Sequence, residues 1–168
     1  MTIRKYNPID VPSEYHKLGV NLIEMASARN GGAIFGIQTV GSHIVSQLKE
    51  RDRLIEYGRR EFFDNTERRV GLDVLIADQV PWHDDLQLTD TYTDYSVVVP
   101  LHPTECILQV KRPQGLVDEA KLEPYVPLKF NRLHKHRVVL PQYRTQYKAE
   151  LHDYLILLCF DEYRGIPA

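Results

Sequence analysis

Three side chains are placed where chemistry could be done: Asp73, Gln109 and Lys111. Asp73 lies inside the apolar run Val70-Gly71-Leu72-Asp73-Val74-Leu75-Ile76-Ala77, and the other two lie inside Cys106-Ile107-Leu108-Gln109-Val110-Lys111-Arg112-Pro113. Each run has the length and β-branched content of a buried strand. A carboxylate, an amide and an ammonium thus stand where burial is costly unless each finds a partner. A divalent cation held by Asp73 and Gln109 would be such a partner. Lys111 beside it could orient or deprotonate a water, which is the equipment of metal-dependent phosphodiester hydrolysis. Alternation along a strand puts Gln109 and Lys111 on one face with Ile107, and Leu108 and Val110 on the other.

Other groups carry weaker signals. His83-Asp84-Asp85 could ligate a cation, but the acidic stretch around it reads first as a solvated loop. His134 and His136 could share a strand face, with His152 as a third zinc ligand. Arg132, Lys135 and Arg137 around them make an exposed basic loop the simpler reading. Arg59, Arg60, Arg68 and Arg69 could contact phosphates, yet Glu61, Asp64 and Glu67 nearly neutralise them, which favours a salt-bridged surface. Cys106 and Cys159 both sit in apolar runs and lack a base at a telling spacing, so they read as buried free thiols in a reducing compartment. There is no G-x-G-x-x-G and no Walker loop, so nucleotide binding by those routes is unsupported.

At 168 residues the chain suits a single domain, 1–168, large enough for a real core. The net charge of −2 gives no global attraction to nucleic acid, so any phosphate contact must come from a local patch. No apolar run approaches the roughly 20 residues needed to span a membrane, and the first residues show no secretory pattern.

The elements that must position these groups follow from pattern. Residues 1–12, with Pro8 and Pro12, read as an extended arm. Ser13 can cap a helix over Glu14 to Arg29, with Leu18, Leu22, Met25 and Ala26 as its apolar face, and Asn30-Gly31-Gly32 ends it. A second helix is expected over Thr39 to Ile55. Phe62 and Phe63 mark a short strand or a helix end anchored in the core, and Asp64-Asn65 a turn. Residues 70–77 form a strand. Residues 78–94 read as an inserted acidic loop. Tyr95 to Leu101 and 105–111 read as an antiparallel hairpin. Leu116 to Leu140 is broken by Pro124 and Pro127, with a strand possible at His136 to Leu140. A helix over Gln142 to His152 precedes Tyr154 to Phe160, the clearest buried strand. The order implies a mixed α/β layer arrangement.

The text "GLDVLI" followed by "LQVKRP" resembles the PD-(D/E)xK nuclease superfamily, in the branch where Gln replaces the acidic residue of the E-x-K step. The resemblance runs from about Thr39 to Asp161 and takes "ELHDYLILLCFDE" as the closing helix end and strand. It implies an α/β, restriction-endonuclease-like domain with a mixed central sheet flanked by helices. It further implies Asp73 and Gln109 as metal ligands, Lys111 as the catalytic lysine, and magnesium as the ion. The family's helical Glu has no match in Gly41-Ser42-His43-Ile44-Val45, and Glu24, Glu50 and Glu56 remain as substitutes. The implied activity is magnesium-dependent cleavage of DNA, with Arg112, Arg132, Lys135 and Arg137 on backbone phosphates.

Two rivals stand beside it. The ten tyrosines, the arm, the near-neutral charge and the 78–94 loop suit a viral or phage structural subunit that self-associates as a homo-oligomer. A catalytically inactive nuclease fold that binds nucleic acid is the other. The location follows the function: cytoplasmic for a nuclease, the virion for an assembly subunit.

Overall fold

The computed structural model describes residues 2–29, 37–139 and 154–165. In chain order the elements are β1 (Ile3–Lys5), α1 (Ser13–Arg29), β2 (Ile37–Thr39), α2 (Ser42–Val45), α3 (Arg51–Glu61), β3 (Val70–Ala77) and β4 (Val80–His83). A single 3-10 turn at Leu86–Leu88 leads to β5 (Tyr92–Pro100), β6 (Ile107–Lys111), β7 (Val117–Lys121), β8 (Leu128–Asn131), β9 (Lys135–Val139) and β10 (Leu155–Tyr163).

The strands form two sheets. The larger runs β1-β8-β5-β10-β3-β2 and the smaller β4-β9-β6-β7, and every pairing in both is antiparallel. The larger sheet is covered twice. One face, through Val74, Val97, Ile156, Leu158 and Phe160, packs on the helices. The other, through Val98, Leu155, Leu157 and Cys159, faces Leu108 and Val110 of the smaller sheet. Burial on both faces is why β3 and β10 read as almost unbroken apolar runs, while β6 and β7 of the smaller sheet alternate.

The helices pack by narrow stripes. On α1 the fully buried positions are Tyr15, Gly19, Ile23 and Ala26, whereas Met25 is exposed. The spacing places this stripe on one helical face, and Gly19 lets the helix backbone approach Ile156. On α3, Leu54, Ile55 and Gly58 are buried, and Phe62 caps the helix end with its ring edge-on to Phe160 at 5.1 Å. Phe62 is thus a helix end anchored in the core, and Asp64 and Asn65 form the left-handed turn after it (φ 52° and 58°).

Four expectations are corrected here. The α/β architecture with helices on both sides of a mixed sheet is replaced by an antiparallel two-sheet sandwich in which, among the described residues, helices lie on one outer face only. The helix expected over Thr39 to Ile55 is instead the end of β2, the short α2, and the start of α3. β5 and β6 are not a hairpin: β5 lies in the larger sheet and β6 in the smaller. Residues 78–94, expected as a loop, contribute β4 to the smaller sheet. The helix expected over Gln142 to His152 falls outside the described residues. No helix among the described residues is long and apolar enough to cross a membrane.

Candidate metal centre

Between the sheets lies a cavity of about 400 Å³. Its walls are mostly apolar, with Leu75, Val98, Leu108, Phe130 and Leu157 among them, and its polar groups include His83, Asp85, His136, Arg132, Asp161 and Asp73.

Three of these converge. β4 ends at His83 and β9 begins at Lys135, and the β4–β9 pairing sets His83 directly opposite His136. Their ring centroids are 4.2 Å apart. Asp85 follows two residues after His83 and is tied by its backbone, its N–H donating to the Arg132 carbonyl at 3.0 Å. Its two carboxylate oxygens face the two rings: Oδ1 is 3.6 Å from His83 Nε2 and Oδ2 is 3.3 Å from His136 Nε2. The three ligand atoms lie within 4.8 Å of one another. An ion bound at about 2.0–2.2 Å holds neighbouring ligand atoms about 3 Å apart, so small movements would close the set on one ion.

The tautomers are set from outside. Nδ1 of His83 lies 2.8 Å from the Pro81 carbonyl, and Nδ1 of His136 lies 2.8 Å from the His134 carbonyl. A carbonyl only accepts, so each Nδ1 carries a proton and each Nε2 faces Asp85: a protonated Nε2 donates to that carboxylate, and a bound ion would take the place of this proton. Burial pushes the Asp85 carboxyl up, but the hydrogen bond and charge of His136, with His83 and Arg132, outweigh it and hold the group below its ordinary range. It therefore stands ready as a carboxylate ligand.

Arg132 borders the same centre. It is 2% exposed. Its Nη2 donates to the Tyr95 carbonyl at 3.0 Å and to Asp161 Oδ1, which also accepts from Ser96 at 3.0 Å. Its Nε is buried with no acceptor among the described residues.

The residues expected to form the site are scattered. Asp73 is on β3 and lines the cavity. Gln109 and Lys111 are on β6, in the other sheet, and face outward: Gln109 donates to Glu119 at 2.9 Å and accepts from Arg137 Nε at 2.8 Å, and Lys111 is exposed. Asp73 and Gln109 therefore do not meet around an ion. Arg112 makes a bidentate pair with Asp118, at 2.8 and 2.6 Å. Lys135 reaches Asp84 at 3.8 Å, and Arg137 lies 4.6 Å over the Trp82 ring. Arg132 points inward, so the four basic residues do not form one phosphate-binding surface. Each metal-centre residue was considered in the sequence, but in separate groups: His83 and Asp85 in a supposed loop, His136 with His134. Cys106 and Cys159 are buried and not joined by a disulfide, as expected.

No family model and no curated protein matches the sequence. Solved structures do match in shape. A prolyl-4-hydroxylase from Pseudomonas putida superimposes with a TM-score of 0.56 at 13% identity, over 98% of this chain and 94% of that one. The non-heme alpha ketoglutarate dependent carbocyclase SnoK from nogalamycin biosynthesis gives 0.61 at 10% identity, over 96% and 79%. An oxidoreductase of the 2OG-Fe(II) oxygenase family from Burkholderia pseudomallei gives 0.51 at 13%, over 97% and 95%. These overturn the resemblance to PD-(D/E)xK nucleases, and with it the DNA endonuclease and its magnesium. What the likeness shows is that this chain has the jelly-roll, double-stranded β-helix fold of 2OG-Fe(II) oxygenase structures.

Proposed function

We propose that this protein is an iron(II)- and 2-oxoglutarate-dependent oxygenase that oxidises a small organic substrate in the cavity between its sheets. The observation that carries the reading is the convergence of His83, Asp85 and His136 on one point at that cavity. Two imidazoles and one carboxylate, with positions left open, form a donor set suited to ferrous iron, whereas magnesium takes a shell of oxygens. When bound there, the ion supplies one-electron chemistry with dioxygen.

The chain's own residues do the rest. The Pro81 and His134 carbonyls orient the two imidazoles, and the Arg132 carbonyl fixes the Asp85 backbone. The 2-oxoglutarate requirement is carried over from the structural neighbours, SnoK and the Burkholderia pseudomallei oxidoreductase. Arg132 suits it. A guanidinium that lines the cavity with a buried, unengaged Nε–H can hold a carboxylate there, while Asp161 keeps the other end of the group in place. Leu108, Phe130 and Leu157 give the reacting space an apolar lining.

The test is anaerobic calorimetry. One equivalent of iron(II) binds the wild-type protein, and 2-oxoglutarate then binds the loaded form. In air the loaded protein converts 2-oxoglutarate to succinate. His136→Ala loses the iron step, and with it both others. Wild-type protein that takes up no iron, or takes it up as well after His136→Ala, would overturn the reading.

A further inference from the structure

Asp73 is a cavity-lining carboxylate for which the metal centre has no use. Its position is set by β3, where it pairs in register with Cys159 of β10 on the wall built by the larger sheet. His83 and His136 project from the smaller sheet. Asp73 therefore faces the cavity from the wall opposite the two imidazoles.

Its orientation is locked. Oδ1 accepts from the Gly41 N–H at 3.0 Å and from the Val74 N–H at 2.8 Å. These bonds tie the turn after β2 to β3, but a neutral amide oxygen can also accept them. The negative charge has no such task. Among the described residues no cation pairs with Asp73, and the guanidinium that lines the cavity, Arg132, is turned to Asp161. Asp161 adds a like charge, being two residues beyond Cys159 on the same face of β10. Burial first, and then Asp161, push the Asp73 carboxyl up, against the two backbone bonds. An unpaired carboxylate in an apolar cavity is costly, and a cationic group on the bound molecule relieves it.

We propose that Asp73 anchors a protonated amine, so that the substrate of this cavity is a small amine or amino acid held between Asp73 and the metal centre. The inference rests on the oxygenase reading for what happens to the substrate, but the binding step stands apart from it. The cavity, at about 400 Å³, is of a size for such a molecule.

The test uses the iron-loaded protein without oxygen. Three probe sets are screened by thermal shift and calorimetry: the standard amino acids, the amines left by removing their carboxylates, and the acids left by removing their amino groups. Binding is expected for members of the first two sets and not for the matching deaminated acids. Asp73→Asn can keep both backbone hydrogen bonds, so it melts no earlier than wild type and its iron titration stays as in wild type. Its affinity for the bound amine falls by about tenfold or more, the loss of one charge-assisted hydrogen bond. Asp73→Ala loses the turn contact as well, and melts earlier. Three results overturn the proposal: no amine in the panel binds, the deaminated acids bind as well as the amines, or Asp73→Asn binds the amine as wild type does. If amines bind through Asp73 but the protein takes up no iron, the oxygenase reading fails and the amine site stands. If iron binds and Asp73→Asn changes nothing, the amine site fails alone.

Discussion

His83 and His136 face each other in register across β4 and β9, and one carboxylate, that of Asp85, reaches both rings with its two oxygens. The pair is made by strand pairing, so a change at either ring removes a ligand without removing the strands. His136→Ala should lower iron(II) affinity by more than the roughly 10–100-fold that loss of an outer hydrogen bond costs such sites. Anaerobic calorimetry measures it, and circular dichroism should show the sheet content unchanged.

Arg132 and Asp161 form a buried pair, and truncating one partner strands the other. Arg132→Ala should destabilise the fold by about 3–5 kcal/mol in urea denaturation. The double change Arg132→Met with Asp161→Leu should recover much of that loss, because two apolar groups replace two charges. It should not recover 2-oxoglutarate binding. Recovery of both would remove Arg132 from the binding site.

Asp73 gives a pH signature with a definite sign. Its folded-state carboxyl is pushed above the ordinary value by burial, so folding favours its protonated form. The stabilisation from that group is fully present below the ordinary carboxylate pKa and is lost as pH rises through the raised one. Asp73→Asn lacks the titration. The unliganded variant should therefore gain in stability over wild type as pH rises from the acid range towards neutrality, and denaturation midpoints at several pH values would show it.

Gln109 and Lys111 sit on the outer face of β6, away from the cavity. Gln109→Ala and Lys111→Ala should leave iron binding unchanged in calorimetry. Lys111→Ala, at an exposed site, should shift stability by no more than about 0.5 kcal/mol.

Gly58 carries α3 close against β10. A Cβ there would stand 2.7 Å from Phe160 Cδ2. Gly58→Ala should cost about 1–3 kcal/mol through overpacking, visible as a lower denaturation midpoint at unchanged slope.

The strands at 70–77 and from 154 onward were legible because the larger sheet is buried on both sides, so its central strands need apolar residues at nearly every position. The α1 boundaries were legible from Ser13 and the helical periodicity, although Tyr15 and Ile23 rather than Met25 carry the buried stripe. β4 was not legible: Val80–His83 is short, contains Pro81, and lies in a polar stretch that resembles a solvated loop. The site was lost with it, since His83 and Asp85 looked like loop residues and His136 looked like part of a basic cluster.

The sequence by itself determined which segments are apolar enough to be strands, that both thiols are buried, and that Asp73 is a carboxylate in an otherwise apolar strand. Those are properties of neighbouring residues, and local pattern reports them. Which strands pair, and which sheet each enters, was decided only by the tertiary structure, because antiparallel pairing between distant segments depends on how two sheets close over one core. That closure set Gln109 and Lys111 on the outside and carried His83, Asp85 and His136 to a single point.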